Sequence, residues 1–212
     1  MTISLTLINI AELLPKEGLK NMCKLSQIDS LYRKHNFDRI LQGDILRDVK
    51  FNYAIHETSI IEYFFPYMVV LSQDCDLEQD FDNRKEDGFD KKHDKYIYSI
   101  LVCPAYLSED FRKGEHLKSF DFRMESKNSK QFSDIKINQN PRYHYLEHYP
   151  EFQIPSMVLD FKHYFTFNTD YLYYIHKEHY VASLNELFRE CLSQRFSYYL
   201  SRIGLPNIKS LP

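Results

Sequence analysis

Tryptophan is absent from this 212-residue chain and glycine occurs only 5 times, against 17 Tyr and 16 Phe. A composition that poor in glycine and rich in bulky rings favours the half-buried positions of pleated sheets. The 4 cysteines, Cys23, Cys75, Cys103 and Cys191, show no CxxC or CxH spacing. That excludes a zinc ribbon and argues against a disulfide framework, so they are read as reduced thiols. No apolar run approaches the roughly 18 to 20 residues of a membrane span, and no targeting peptide stands out. The expectation is a cytoplasmic protein with no membrane association. Positive charge is not in excess either: the formal net charge is −3, which excludes a strong field pulling in nucleic acid and leaves only a local patch for it. Finally, GxxxxGK[ST], GxGxxG, GxSxG and HExxH are all missing. Nucleotide hydrolysis, dinucleotide redox chemistry, α/β-hydrolase catalysis and the helical zinc-protease site therefore lack their signatures.

What remains is one domain's worth of chain with enough apolar residues for a real core. Residues 1–40 read as an appendage with two weak helical patterns. From "LQGDILRDVKFNYAI" onward strand signals dominate, with Gly43-Asp44 as a turn, and the run "EYFFPYMVVLSQ" reads as a strand buried on both faces. Residues 78–94 are dense in both charge signs and read as a solvated loop. "KYIYSILVCPAYL" is a third strand expected to end at Pro104. An insertion over 107–140 carries one short helix, and strands return in "RYHYL", "SMVLDF", "HYFTF" and "YLYYIH". A helix over 183–203 has an expected capping box at Ser183 and Glu186 and an apolar stripe that must dock on the sheet. Within that stripe Arg195 and Arg202 would each need an acid or an anion, with Asp74, Asp76 or Asp160 as candidate partners. The fold class is mainly β with helices, α+β, with a small barrel at its centre.

The order "QGDIL", "PYMVVLSQ", a charged loop and then "YIYSILVCPAY" resembles the first strands of the MazF/PemK toxin endoribonucleases, over residues 42–106. The resemblance implies an SH3-like barrel that receives single-stranded RNA, with Ser72 matching the strand-end hydroxyl, in a bacterial toxin or phage-defence setting. It further implies an antitoxin or larger effector protein as a partner. The family's Arg-Pro before the apolar strand is here Phe65-Pro66, so the cation that would stabilise charge on a transferring phosphate must come from elsewhere.

The expected cleavage set is accordingly Ser72, Arg142 and His144, with Asp74 or Asp76 orienting one of them, and with no cofactor and no metal. The acidic triplet Asp74-Cys75-Asp76 offers two other chemistries. A Cys75 nucleophile, with His144 and Asp160, is opposed by the two acids, which disfavour the thiolate. A metal held by Asp74 and Asp76, with His144 or His163, finds no support in spacing. The aromatic and basic segments "RYHYLEHY" and "HYFTFNTDYLYYIHKEHY" would suit base stacking, or equally a Tyr-rich strand. The rival to the ribonuclease is a non-catalytic interaction subunit.

Overall fold

Strand alternation in this chain buries both faces of a single sheet. In the computed structural model, which describes residues 30–56, 59–86 and 93–202, the strands are β1 (Tyr32–Arg33), β2 (Asp44–His56), β3 (Ser59–Val70), β4 (Ser99–Leu107), β5 (Tyr143–Leu146), β6 (Met157–Asp160), β7 (Phe165–Asn168) and β8 (Tyr180–Leu184). The helices are α1 (Asp74–Lys85), α2 (Ser108–Lys113), α3 (Ser129–Lys136), α4 (Thr169–His179) and α5 (Glu186–Leu200). The order across the sheet is β1-β8-β2-β3-β4-β6-β5, and β7 also pairs with β4. Every pairing is antiparallel. This is the expected α+β architecture built on a barrel-like sheet.

Along β3, Tyr67 and Val69 face one core and Met68 and Val70 the other, as a doubly buried strand requires. The first core also holds Ile45, Leu159, Leu184 and the α5 residues Leu192 and Phe196. The second is covered by Leu172 and Ile175 of α4 and Leu77 of α1. The sheet's two end strands are joined by side chains instead of a ladder. Tyr32 of β1 donates its hydroxyl to the Glu147 carbonyl just past β5 (2.7 Å), and its ring packs on Tyr149 at 5.4 Å.

Several local expectations are corrected. The charged stretch begins with α1: acids occupy its first turn, Arg84 and Lys85 its last, which complements the helix dipole. Arg84 closes an i,i+4 pair on Asp80 (2.7 Å). "YLYYIH" is helical, because Asn168 caps the Tyr171 amide and Thr169, Leu172, Ile175 and His176 fall on one buried side. The insertion carries α3 as well as α2 and packs Phe111, Leu117 and Ile135 on Tyr106 and Val158. Strand β4 continues through Pro104, which pairs with Met68 on one edge. On its other edge β6 gives way to β7 there, so Cys103 and Pro104 face no partner and the missing N–H leaves no rung unmade on that side.

The C-terminal helix starts at Glu186 with Asn185 as its cap; Ser183 lies in β8 and spends its hydroxyl elsewhere. Residues 1–29 of the proposed appendage lie outside the described residues. Cys75 and Cys103 are free thiols, whereas Cys191 is disulfide-bonded, which corrects the reading of all four as reduced.

Gly43 takes φ +84° at the entry to β2, and a Cβ there would sit 3.1 Å from the Leu184 Cβ. Both facts make any other residue strained in the turn that launches Asp44.

If the Tyr32 hydroxyl fastens the sheet's ends, Y32F should lower unfolding free energy by about 1 kcal/mol, the net value of one such bond. Denaturant unfolding measures it; an unchanged midpoint would remove the hydroxyl from the closure.

Candidate functional site

Where β3 ends, the chain turns into α1 across the end of β4. The Leu71 amide donates to the Leu101 carbonyl (2.8 Å), and the Leu101 amide donates back to Ser72 Oγ (2.8 Å). Ser72 thus extends the ladder by one side-chain rung. Beside it opens a cleft of about 510 Å³, lined among others by Ser72, Asp76, Lys95, Phe196 and Ser197. Its lining comes from the turn after β3, α1, the segment before β4, Leu101 of β4 and α5. Of the five residues expected to carry cleavage, only Ser72 and Asp76 line it.

Asp74 lies two residues from both Ser72 and Asp76 and is engaged. Arg39 holds it through two nitrogens (3.1 and 3.2 Å), Arg189 of α5 adds a third contact (3.2 Å), and the Gln42 amide donates to Oδ1 (3.2 Å). Burial would raise its pKa, but Arg39 and Arg189 outweigh that and hold the carboxyl below its ordinary value. The expected acid tying the last helix to the barrel is therefore present, with Arg189 as the cation on α5. Cys75 is exposed, and its thiol lies 3.7 Å from Gln73 Oε1 and from Asp76 Oδ1.

Arg142 and His144 sit on the far half of the sheet, on and just before β5. Arg142 is clamped on Asp160, Nε to Oδ1 at 2.8 Å and the terminal nitrogen to Oδ2 at 2.5 Å. Asp160 is 1% exposed and also accepts the Lys162 amide, while His163 lies 3.7 Å away. His144 is enclosed: burial and then the Arg195 charge push its pKa down to about 3. It is neutral at physiological pH, with Nδ1 unpartnered.

Arg195 meets the demand for a partner without an acid. Its guanidinium donates to the carbonyls of Asn138 (2.6 Å), Asn140 (2.9 Å) and Tyr143 (2.7 Å), holding the chain that enters β5. Burial pushes its pKa down to about 10, the cost of a cation with no charged partner. Arg202 is exposed and donates to the Tyr199 carbonyl.

A second polar centre had no place in the reading of the sequence. Asp44, 0% exposed, accepts four donors: His35 Nε2 (3.0 Å) and Ser183 Oγ (2.5 Å) on Oδ1, and His176 Nε2 (2.8 Å) and the Leu41 amide (2.9 Å) on Oδ2. Burial would raise its pKa, and the His176 and His35 hydrogen bonds reverse that, leaving it below the ordinary value. Tyr180 packs on both imidazoles, at 4.8 and 5.1 Å between centroids. The available signal was the Gly43-Asp44 turn itself: an acid opening a buried strand must find donors. Its donors lie 9, 132 and 139 residues away as well as within the turn, beyond any local pattern.

Against known proteins, the chain matches no family model, no curated protein and no solved structure.

The Asp74 clamp has a pH signature. A carboxyl whose folded pKa is depressed contributes stability above its unfolded value, about 3.9, and loses it as pH falls through the lower folded value. D74N should cost about 1.5 to 3 kcal/mol at neutral pH. The gap to wild type should close below about pH 4. Urea unfolding across that range checks both, and a gap independent of pH would assign the loss to packing.

Proposed function

We propose that this chain is a non-catalytic interaction module, a barrel that docks a larger effector protein, and not a ribonuclease. One observation carries the reading. Arg142, the cation offered in place of the family's missing arginine, is bound bidentately to the buried Asp160. Freeing it to meet a phosphate would leave that carboxylate buried without its charged partner.

The neighbouring candidates point the same way. His144 is held neutral inside the core and is not placed to exchange protons with a substrate. Asp74 is spent on Arg39 and Arg189. Exposed rings suit a protein partner: Tyr98 is 89% and Tyr174 76% exposed. The Thr169 amide donates to the Tyr98 carbonyl, so Tyr98 adjoins the start of the helix that bears Tyr174. Tyrosine at such density is the residue interfaces favour.

The ribonuclease reading keeps one feature in its favour, Ser72 lining a cleft with Lys95 and Asp76. Incubating the purified chain with single-stranded RNA, in EDTA and again with divalent cations, separates the two. The proposal expects intact RNA at equimolar protein. Cleavage that S72A or K95A abolishes would overturn it.

A further inference from the structure

We propose that His35, Asp44 and His176 form a binding site for a first-row divalent transition-metal ion. The inference is independent of the reading above, since the cleft and the Arg142 pair take no part in it. Each residue presents one ligand atom, and these atoms lie within 4.8 Å of one another. Two imidazoles and one carboxylate make the nitrogen and oxygen set that suits such ions.

The separations select among geometries. Bonds of about 2.0 to 2.1 Å place two ligand atoms roughly 2.9 Å apart at a right angle and roughly 3.4 Å apart at a tetrahedral one. His35 Nε2 stands 3.0 Å from Asp44 Oδ1 and His176 Nε2 stands 2.8 Å from Asp44 Oδ2, so an ion held by both imidazoles and by both carboxylate oxygens meets the right-angle spacing, which favours five- or six-coordinate ions such as Co²⁺, Ni²⁺ or Fe²⁺ over a regular tetrahedron. Without an ion the same separations hold two N–H···O bonds, and an experiment distinguishes the states.

The surroundings orient the ligands as a metal centre requires. Ser183 Oγ and the Leu41 amide fix the carboxylate. Tyr180 braces both rings and bonds Ser183 Oγ (3.0 Å) and the His35 amide (3.1 Å). The imidazole planes lie within 23° of each other.

Besides the two Nε2–H···O bonds that an ion replaces, one further contact must change. The Phe37 amide donates to His35 Nδ1 (3.2 Å), so ion binding at Nε2 moves the ring proton to Nδ1 and turns that amide to solvent. The amide is exposed, and water replaces the bond at little cost. A bound ion would join the segment before β2, β2 itself and α4, raising thermal stability by mass action.

The test strips the full-length chain with a chelator, removes the chelator and titrates Co²⁺, followed by visible absorption and calorimetry. One equivalent should bind with ligand-field bands and raise Tm. H35Q and H176Q should each weaken binding by about 10-fold or more, with native circular dichroism confirming the fold. H179Q, a histidine of the same helix bonded to the Arg47 carbonyl, should leave it unchanged. Because His35 lies in a partly exposed segment outside the sheet, H35Q decides the matter if H176Q fails to fold. No saturable binding by the folded wild-type protein, or an undiminished equivalent in H35Q, would overturn the site.

Discussion

The carboxylate of Asp44 is the constraint on which the rest of the barrel depends. It is fully buried and accepts donors from the segment before β2, the turn at Leu41, helix α4 and strand β8. A buried acid with fewer partners would exact a desolvation cost of several kcal/mol. With its partners in place, it fixes four segments that the hydrophobic cores alone would let slide. Gly43 eases this, since a side chain in its left-handed turn would be strained and crowd Leu184.

The same economy recurs wherever the chain places charge near the core. Asp74 gathers Arg39 and Arg189 and so ties α1 and the turn before β2 to the last helix. Asp80 takes Arg84 and the Ile97 amide, pinning the approach to β4. Asp160 takes Arg142 across the β5–β6 pair. Arg195 reverses the roles, one cation gathering three carbonyls. In each case a polar group joins separate segments of the chain, the kind of contact that favours a single arrangement. Of the residues offered for cleavage, Asp74 and Arg142 are by geometry engaged as fastenings of a bent sheet.

That explains what was legible in the sequence. Continuous apolar runs along β3 and β4 marked the sheet's centre, since a strand buried on both faces loses its polar alternation. The amphipathic stripe of α5 likewise announced a docked helix, and its arginines announced a need for partners. Helix α1 stayed hidden because only Leu77, Asp80 and Asn83 are buried in it, so no stripe exists to read. Helix α4 was masked by tyrosines whose β-preference local spacing could not override. Of the site, Ser72 was legible as a strand-end hydroxyl, while the partners of Asp74, Arg142 and Asp44 are long-range pairings that no local pattern encodes.

The account's central claim is that buried polar fastenings, with Asp44 foremost, hold this fold. It is tested most directly by equilibrium unfolding of D44N beside wild type in a chelating buffer. The account predicts a loss of about 3 kcal/mol or more, because an amide would face two imidazole donors with one acceptor oxygen. A loss below about 1 kcal/mol, within the ordinary range of single substitutions, would contradict it.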